Sequence, residues 1–120
     1  MGNFRELIAY QKSYMLSMHI FSVTHIFAVD EKYGITSQIR RSSRSVCANL
    51  AEAYRRRRTL KHFVSKLNDA ETENLETEIW LDFSRDCGYT DPLLHQQLVD
   101  LNNEVGKLIY YMIHNPQKFM

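Results

Sequence analysis

Gln38-Ile39-Arg40-Arg41-Ser42-Ser43-Arg44-Ser45-Val46-Cys47-Ala48-Asn49-Leu50-Ala51-Glu52 carries two rows of residues at helical spacing. Gln38, Ser42, Ser45, Asn49 and Glu52 recur at steps of four, three, four and three, which places five polar side chains on one face of an α-helix. Ile35, Ile39, Val46 and Leu50 run beside them as an apolar stripe. The segment is therefore a helix that gives one face to a core. A polar row so close to that stripe is expected near the core or at a subunit interface, where buried polar groups must find partners. Ser45, Asn49 and Glu52 are expected to hydrogen-bond across helices or subunits and to fix their register.

Outward from this stretch, the chain divides into four helical segments. The first runs from Phe4 to about Ala28, with Phe4, Leu7, Ile8, Tyr14, Met15, Met18 and Phe21 as its apolar positions. Tyr33-Gly34 punctuates, and Thr36 or Ser37 is the expected cap of the second helix, which ends near Arg57. Thr59 is the expected cap of a third helix bearing Leu60, Phe63, Val64, Leu67, Ala70, Leu75 and Leu81 as far as Cys87, with Gly88 as its stop. Asp91-Pro92 reads as N-cap and first turn of a fourth helix, whose Leu94, Leu98, Leu101, Val105, Leu108 and Met112 precede the terminator Asn115-Pro116. Gly106 either weakens that helix or permits a close helix contact. Short connections make neighbours antiparallel, so the expected fold is all-α: an antiparallel up-down-up-down four-helix bundle, one domain over residues 1–120.

The composition agrees. A chain of 120 residues with 44% hydrophobic content, four glycines and two prolines fits one globular helical domain. No run of about 18 apolar residues offers a membrane span. The start lacks an apolar signal region, and Cys47 and Cys87 stand alone, so a reducing cytoplasm is the expected home.

A net charge of +1 conceals a partition. Residues 40–66 hold nine Arg or Lys against Glu52 alone, whereas residues 67–91 hold eight acids against Arg85 alone. If helices two and three form a hairpin turning near Arg58-Thr59, Arg41 faces Glu76 and Arg44 faces Glu73, and Arg40 helps to neutralise the acidic block. Arg55, Arg56, Arg57, Arg58, Lys61, His62 and Lys66 are then left unmatched at the tip. Cations at a helix C-terminus complement its dipole, but four consecutive arginines exceed that need. Phosphate is the partner that arginine forks suit, and neutralised phosphates release counterions, so the tip is the expected nucleic-acid surface. Tyr54 and Phe63 flank the run, either as core residues or as stacking platforms for bases.

The stretch from Tyr33 through Ala53, with Ser37-Gln38-Ile39-Arg40-Arg41 and Ser45-Val46-x-x-Asn49-Leu50-Ala51-Glu52 as its most specific parts, resembles the four-helix-bundle proteins encoded within intervening sequences of 23S ribosomal RNA. The match continues through Phe63, Leu67, Ala70, Glu76 and Gly88-Tyr89 and spans roughly residues 4–112. Ala53 departs from it, standing where the family usually carries glycine, as does Glu73, where a small residue is common. The family is similar in fold to the accessory variability determinant of diversity-generating retroelements. That resemblance implies a homo-oligomer, a pentameric ring, which binds nucleic acid and a reverse transcriptase and has no known catalysis.

Other chemistries find little support. No histidine has Glu three residues before it, as ferritin-type metal sites require, and the cysteines and histidines show no zinc spacing. No Gly-rich phosphate loop is present, so neither metal nor cofactor is expected. Arg57 and His62 have the spacing of the Arg and His pair in HEPN-type ribonucleases, the enzymatic alternative. A protein-interaction scaffold without nucleic acid is the other. The long stripes of helix two and the adjacent Tyr110 and Tyr111 point to self-association.

Overall fold

A computed structural model describes residues 2–120. Four helices carry the chain: α1 (Ile8–Val23), α2 (Ile35–Arg55), α3 (Leu60–Asp86) and α4 (Pro92–His114). No strand occurs among the described residues. α2 packs on α1 and α3, and α4 on α3 and α1, which makes a four-cornered antiparallel bundle with α1 and α3 on one diagonal. It measures 44 × 25 × 20 Å. Phe63, Leu67, Leu50, Val105 and Ile109 are fully buried at one end of the core, and Ile20, Ile39, Leu81 and Leu98 fill the other.

The first helix is shorter than its apolar pattern indicates. Phe4–Glu6 forms a separate 3-10 turn, Leu7 is extended at ψ 126°, and beyond Val23 the chain tightens into 3-10 turns over Thr24–Ile26 and Val29–Glu31. Thr24 Oγ1 donates to the Ile20 and Phe21 carbonyls at 2.8 and 3.0 Å, a local bond that competes with helix continuation. α1 also turns a different face inward. Ala9, Ser13, Leu16, Ser17 and Ile20 are buried, whereas Ile8, Tyr14, Met15 and Met18 are exposed. Small residues let α1 lie close to α2: Ser13 Oγ sits 3.2 Å from Cys47 Sγ, and Ser17 Oγ donates to Ser43 Oγ at 3.3 Å. Burial pushes the Cys47 thiol up, partly offset by the Ser13 bond.

The second helix starts at Ile35, so Thr36 and Ser37 lie inside it and neither caps. Glu31 performs that role, its Oε1 accepting from Ile35 N at 3.1 Å, where a carboxylate complements the helix dipole. The other oxygen accepts from Tyr89 Oη at 2.9 Å and ties the start of α2 to the α3–α4 turn. In that turn Gly88 has φ +78°, and bonds from Gly88 N to Arg85 O and from Tyr89 N to Ser84 O close a Schellman cap. Hydrogen bonding to the Glu31 carboxylate pushes the Tyr89 phenol up to about 12. A folded-state pKa above the unfolded value of 10.0 means stability present below pH 10 and lost as pH rises toward 12. Thermal unfolding of wild type should therefore fall more steeply across that window than that of Tyr89→Phe; parallel curves would show that the bond does not couple to folding.

α4 begins as the sequence indicates, with Asp91 Oδ1 accepting from Leu94 N at 2.7 Å and Pro92 in the first turn. Its inner face includes His95, Asn102 and Ile109 with Leu98, Val105 and Met112, while Leu94, Leu101 and Leu108 are only partly buried. The offset has a polar cause. Between α3 and α4, Asn74 Nδ2 donates to Asn102 Oδ1 and Asn102 Nδ2 donates to the Asn74 backbone carbonyl, and a Cβ on Gly106 would stand 2.7 Å from Asn74 Oδ1. Gly106 thus permits a close approach.

Candidate nucleic-acid interface

The interface is positioned by the α2–α3 hairpin, whose register is fixed by polar pairs along its length. Arg41 Nη1 meets Glu73 Oε2 at 3.0 Å and Arg41 Nη2 pairs with Glu76. Hydrogen bonding from Arg41 holds the Glu76 carboxyl below its ordinary value. Ser42 Oγ and Thr77 Oγ1 lie 2.8 Å apart and buried, and each hydroxyl also reaches a carbonyl of its own helix, Ile39 O at 3.4 Å and Glu73 O at 2.9 Å. Nearer the turn, Lys66 Nζ and Glu52 Oε2 are 2.9 Å apart.

These pairs sort the polar row of α2. Ser42 and Glu52 bridge to α3, Glu52 from an exposed position. Asn49 Nδ2 instead donates within α2, to Ser45 O at 3.0 Å and Ser45 Oγ at 3.2 Å, and Gln38 Oε1 accepts from Arg41 Nε at 3.4 Å. Ser45 and Asn49 therefore make no cross-helix bond among the described residues. Arg44 does not reach Glu73. One arginine spans both carboxylates, and one turn on, Arg44 faces α1, 5.8 Å over the Phe21 ring. Arg40 likewise leaves the acidic block, donating to Thr24 Oγ1 at 2.8 Å and lying 4.8 Å over Phe21.

At the tip, α2 ends at Arg55, residues 56–58 turn, and Thr59 is extended before α3 begins at Leu60. Thr59 holds the N-cap position without a side-chain capping bond. A cavity of about 790 Å³ lies between the helix ends, lined by Arg55, Arg56, Arg58 and Lys66, the polar Thr59, His62 and Ser65, and Glu52. Four cations thus face one carboxylate. Glu52 is committed to Lys66, and their hydrogen bond holds the ammonium pKa above its ordinary value. Arg55, Arg56 and Arg58 make no ion pair among the described residues. Lys61 is exposed beside the cavity without lining it.

Arg57 differs from its neighbours. Its Nη1 donates to Tyr54 O at 2.8 Å and its guanidinium lies 4.0 Å over the Tyr54 ring, so it closes the C-terminus of α2. It does not line the cavity that His62 lines. Tyr54 and Phe63 are 2% and 0% exposed, which makes them core residues and removes both as stacking platforms for a base.

Three features carry no signal in the apolar spacing: the Asn74–Asn102 exchange, the buried His95 bonded through Nε2 to Asp82 Oδ1 at 2.9 Å, and a groove between α1 and α2. Each depends on which helices become neighbours. Among the described residues, no cluster of three His, Cys, Asp or Glu is placed to hold a metal, and no helix is long and apolar enough to cross a membrane.

Comparison with known proteins agrees with this architecture. No curated protein matches the sequence. A crystal structure of a protein of unknown function from the S23 ribosomal protein family of Bacteroides thetaiotaomicron superposes with a TM-score of 0.82 at 27% identity, covering 90% of this chain and 96% of that one. The family model for 23S rRNA-intervening sequence proteins matches residues 5–111, nearly the whole bundle. The chain belongs to the 23S rRNA-intervening sequence protein family.

Proposed function

We propose that this protein is a non-catalytic, self-associating bundle that binds nucleic acid, RNA or DNA, through the α2–α3 tip. The observation that carries the reading is the excess of cation there: Arg55, Arg56 and Arg58 surround a cavity whose one carboxylate is already paired with Lys66. Unpaired guanidinium groups at a protein surface are forks for phosphate oxygens. His62, Thr59 and Ser65 add hydrogen-bonding groups around the same space. The family's description in terms of 23S rRNA is in keeping with this reading. The resemblance noted in the sequence adds a pentameric ring and a reverse transcriptase as protein partner to the proposal, and the lone Cys47 and Cys87 add a cytoplasmic location. A ribonuclease would need Arg57 and His62 on one phosphate, and Arg57 is held on Tyr54.

Fluorescence anisotropy of labelled structured RNA and duplex DNA tests the proposal. Four phosphate contacts correspond to a loss of about 100-fold in affinity between about 50 and 200 mM salt for duplex DNA. Binding of that kind supports a nucleic-acid adaptor; no binding at low salt makes the bundle a protein-interaction scaffold.

A further inference from the structure

Glu52 is the one carboxylate lining the basic cavity, beside Arg55, Arg56, Arg58 and Lys66. Its charge lowers the attraction of the tip for any phosphate. The bond to Lys66 uses only half of the group: Oε2 lies 2.9 Å from Nζ, and Oε1 meets no donor among the described residues. The side chain is 54% exposed, so that second oxygen is open to a ligand.

The position of Glu52 on α2 sets what this oxygen stands beside. Arg55 and Arg56 follow by three and four residues, hence on the same helical face, where Cβ atoms are about 5–6 Å apart. Neither arginine pairs with Glu52, which turns to Lys66 on α3 instead. Arg56 is close enough to Lys66 to oppose the rise in its pKa, so like charges crowd this side of the cavity. An anionic acceptor thus stands next to cationic donors that have no carboxylate of their own.

A ribonucleotide presents the reverse pattern. Its 2′-hydroxyl and its 3′-phosphate sit on adjacent ribose carbons, a donor beside an anion, whereas a deoxyribonucleotide offers the phosphate alone. A hydroxyl donates to a carboxylate in a charge-assisted bond, and arginine forks take phosphate oxygens. The 2′-hydroxyl is the group by which a protein tells RNA from DNA.

We infer that the tip selects RNA over DNA, with Glu52 accepting a hydrogen bond from a ribose 2′-hydroxyl while Arg55 and Arg56 hold the adjacent phosphate. The inference rests on the proposed nucleic-acid binding and names the strand chemistry that the reading leaves open. It also gives the carboxylate a role in discrimination. Repulsion from Glu52 weakens the binding of every strand alike, and the hydroxyl bond offsets that loss for RNA alone.

Fluorescence anisotropy on the full chain, at one salt concentration, tests this with three labelled single strands of one sequence: RNA, DNA and 2′-O-methyl RNA, which keeps the ribose oxygen but cannot donate. Wild type is expected to bind RNA about tenfold more tightly than either of the others, as one hydrogen bond to a charged group allows. Glu52→Met removes the acceptor and should bring the three affinities together, chiefly by tightening DNA and 2′-O-methyl RNA as the repulsion disappears. Glu52→Gln keeps a neutral acceptor and should give an intermediate ratio. Circular dichroism identifies a variant that fails to fold, and the three strands on wild type then decide. Equal binding of RNA and DNA by wild type, 2′-O-methyl RNA as tight as RNA, or a preference that survives Glu52→Met overturns the role of Glu52 and leaves binding at the tip standing. A variant that moves all three affinities by one factor does the same, because it marks the Lys66 pair as purely structural. No binding of any strand at low salt overturns both.

Discussion

Replacing Arg55, Arg56 and Arg58 together with glutamine is expected to lower nucleic-acid affinity by about 100-fold or more near 0.1 M salt and to reduce the salt slope by about three. Each arginine that neutralises a phosphate releases about one counterion, so three such contacts account for most of the salt dependence that the tip supplies. Glutamine keeps much of the side-chain length and removes the charge, which isolates the electrostatic contribution. Folding should be little affected, because Arg55, Arg56 and Arg58 are exposed and pair with no carboxylate among the described residues. Arg57 is left in place for a physical reason: it binds the Tyr54 carbonyl and covers the Tyr54 ring, so Arg57→Gln would confound lost binding with a loosened α2 terminus. Arg85→Gln, in α3 near the opposite end of the hairpin and paired with Asp86, serves as the control and should leave both affinity and slope unchanged. A triple variant that binds as wild type, with the wild-type slope, would remove the tip from the binding surface.

The α2–α3 hairpin was legible in the sequence because opposite charge and helical spacing both survive translation into structure. Arg41 meets Glu76 as the antiparallel register requires, and the unmatched arginines do gather at the turn. The partner of Arg44 was not legible. Between two helices one long guanidinium can satisfy two carboxylates, and Arg41 takes both Glu73 and Glu76. Nor was the inner face of α1, where apolar size misleads: Ala9, Ser13 and Ser17 are inside because they let α1 approach α2, while Tyr14, Met15 and Met18 are displaced outward. The tip is a similar case. A run of four arginines identifies a basic surface, but only the path of the turn separates the three open ones from the one that holds Tyr54.

The contact between α3 and α4 should be the most sensitive polar element in the fold. Asn102 is 1% exposed; its Oδ1 accepts from Asn74 Nδ2 at 2.9 Å and its Nδ2 donates to Asn74 O at 3.1 Å. Asn102→Ala removes both bonds and leaves a cavity, for an expected loss of about 2 to 4 kcal/mol by urea unfolding. Asn74 Nδ2 would keep its bond to the Asn102 backbone carbonyl at 3.1 Å, which limits the penalty for an unsatisfied amide. Gly106 makes the element testable from the other side. Alanine normally improves a helix interior by about 1 kcal/mol over glycine, yet here its Cβ would meet Asn74 Oδ1 at 2.7 Å. That amide cannot move away without stretching its bonds to Asn102, so Gly106→Ala should destabilise wild type. With Asn74→Ala already present the obstacle is gone, and the same substitution should stabilise by about 1 kcal/mol. The sign change across this double-mutant cycle is the expected signature of glycine retained for close approach to a polar pair. An equal effect of Gly106→Ala in both backgrounds would mean that the bundle relaxes around the added methyl and that the asparagines do not set the helix spacing.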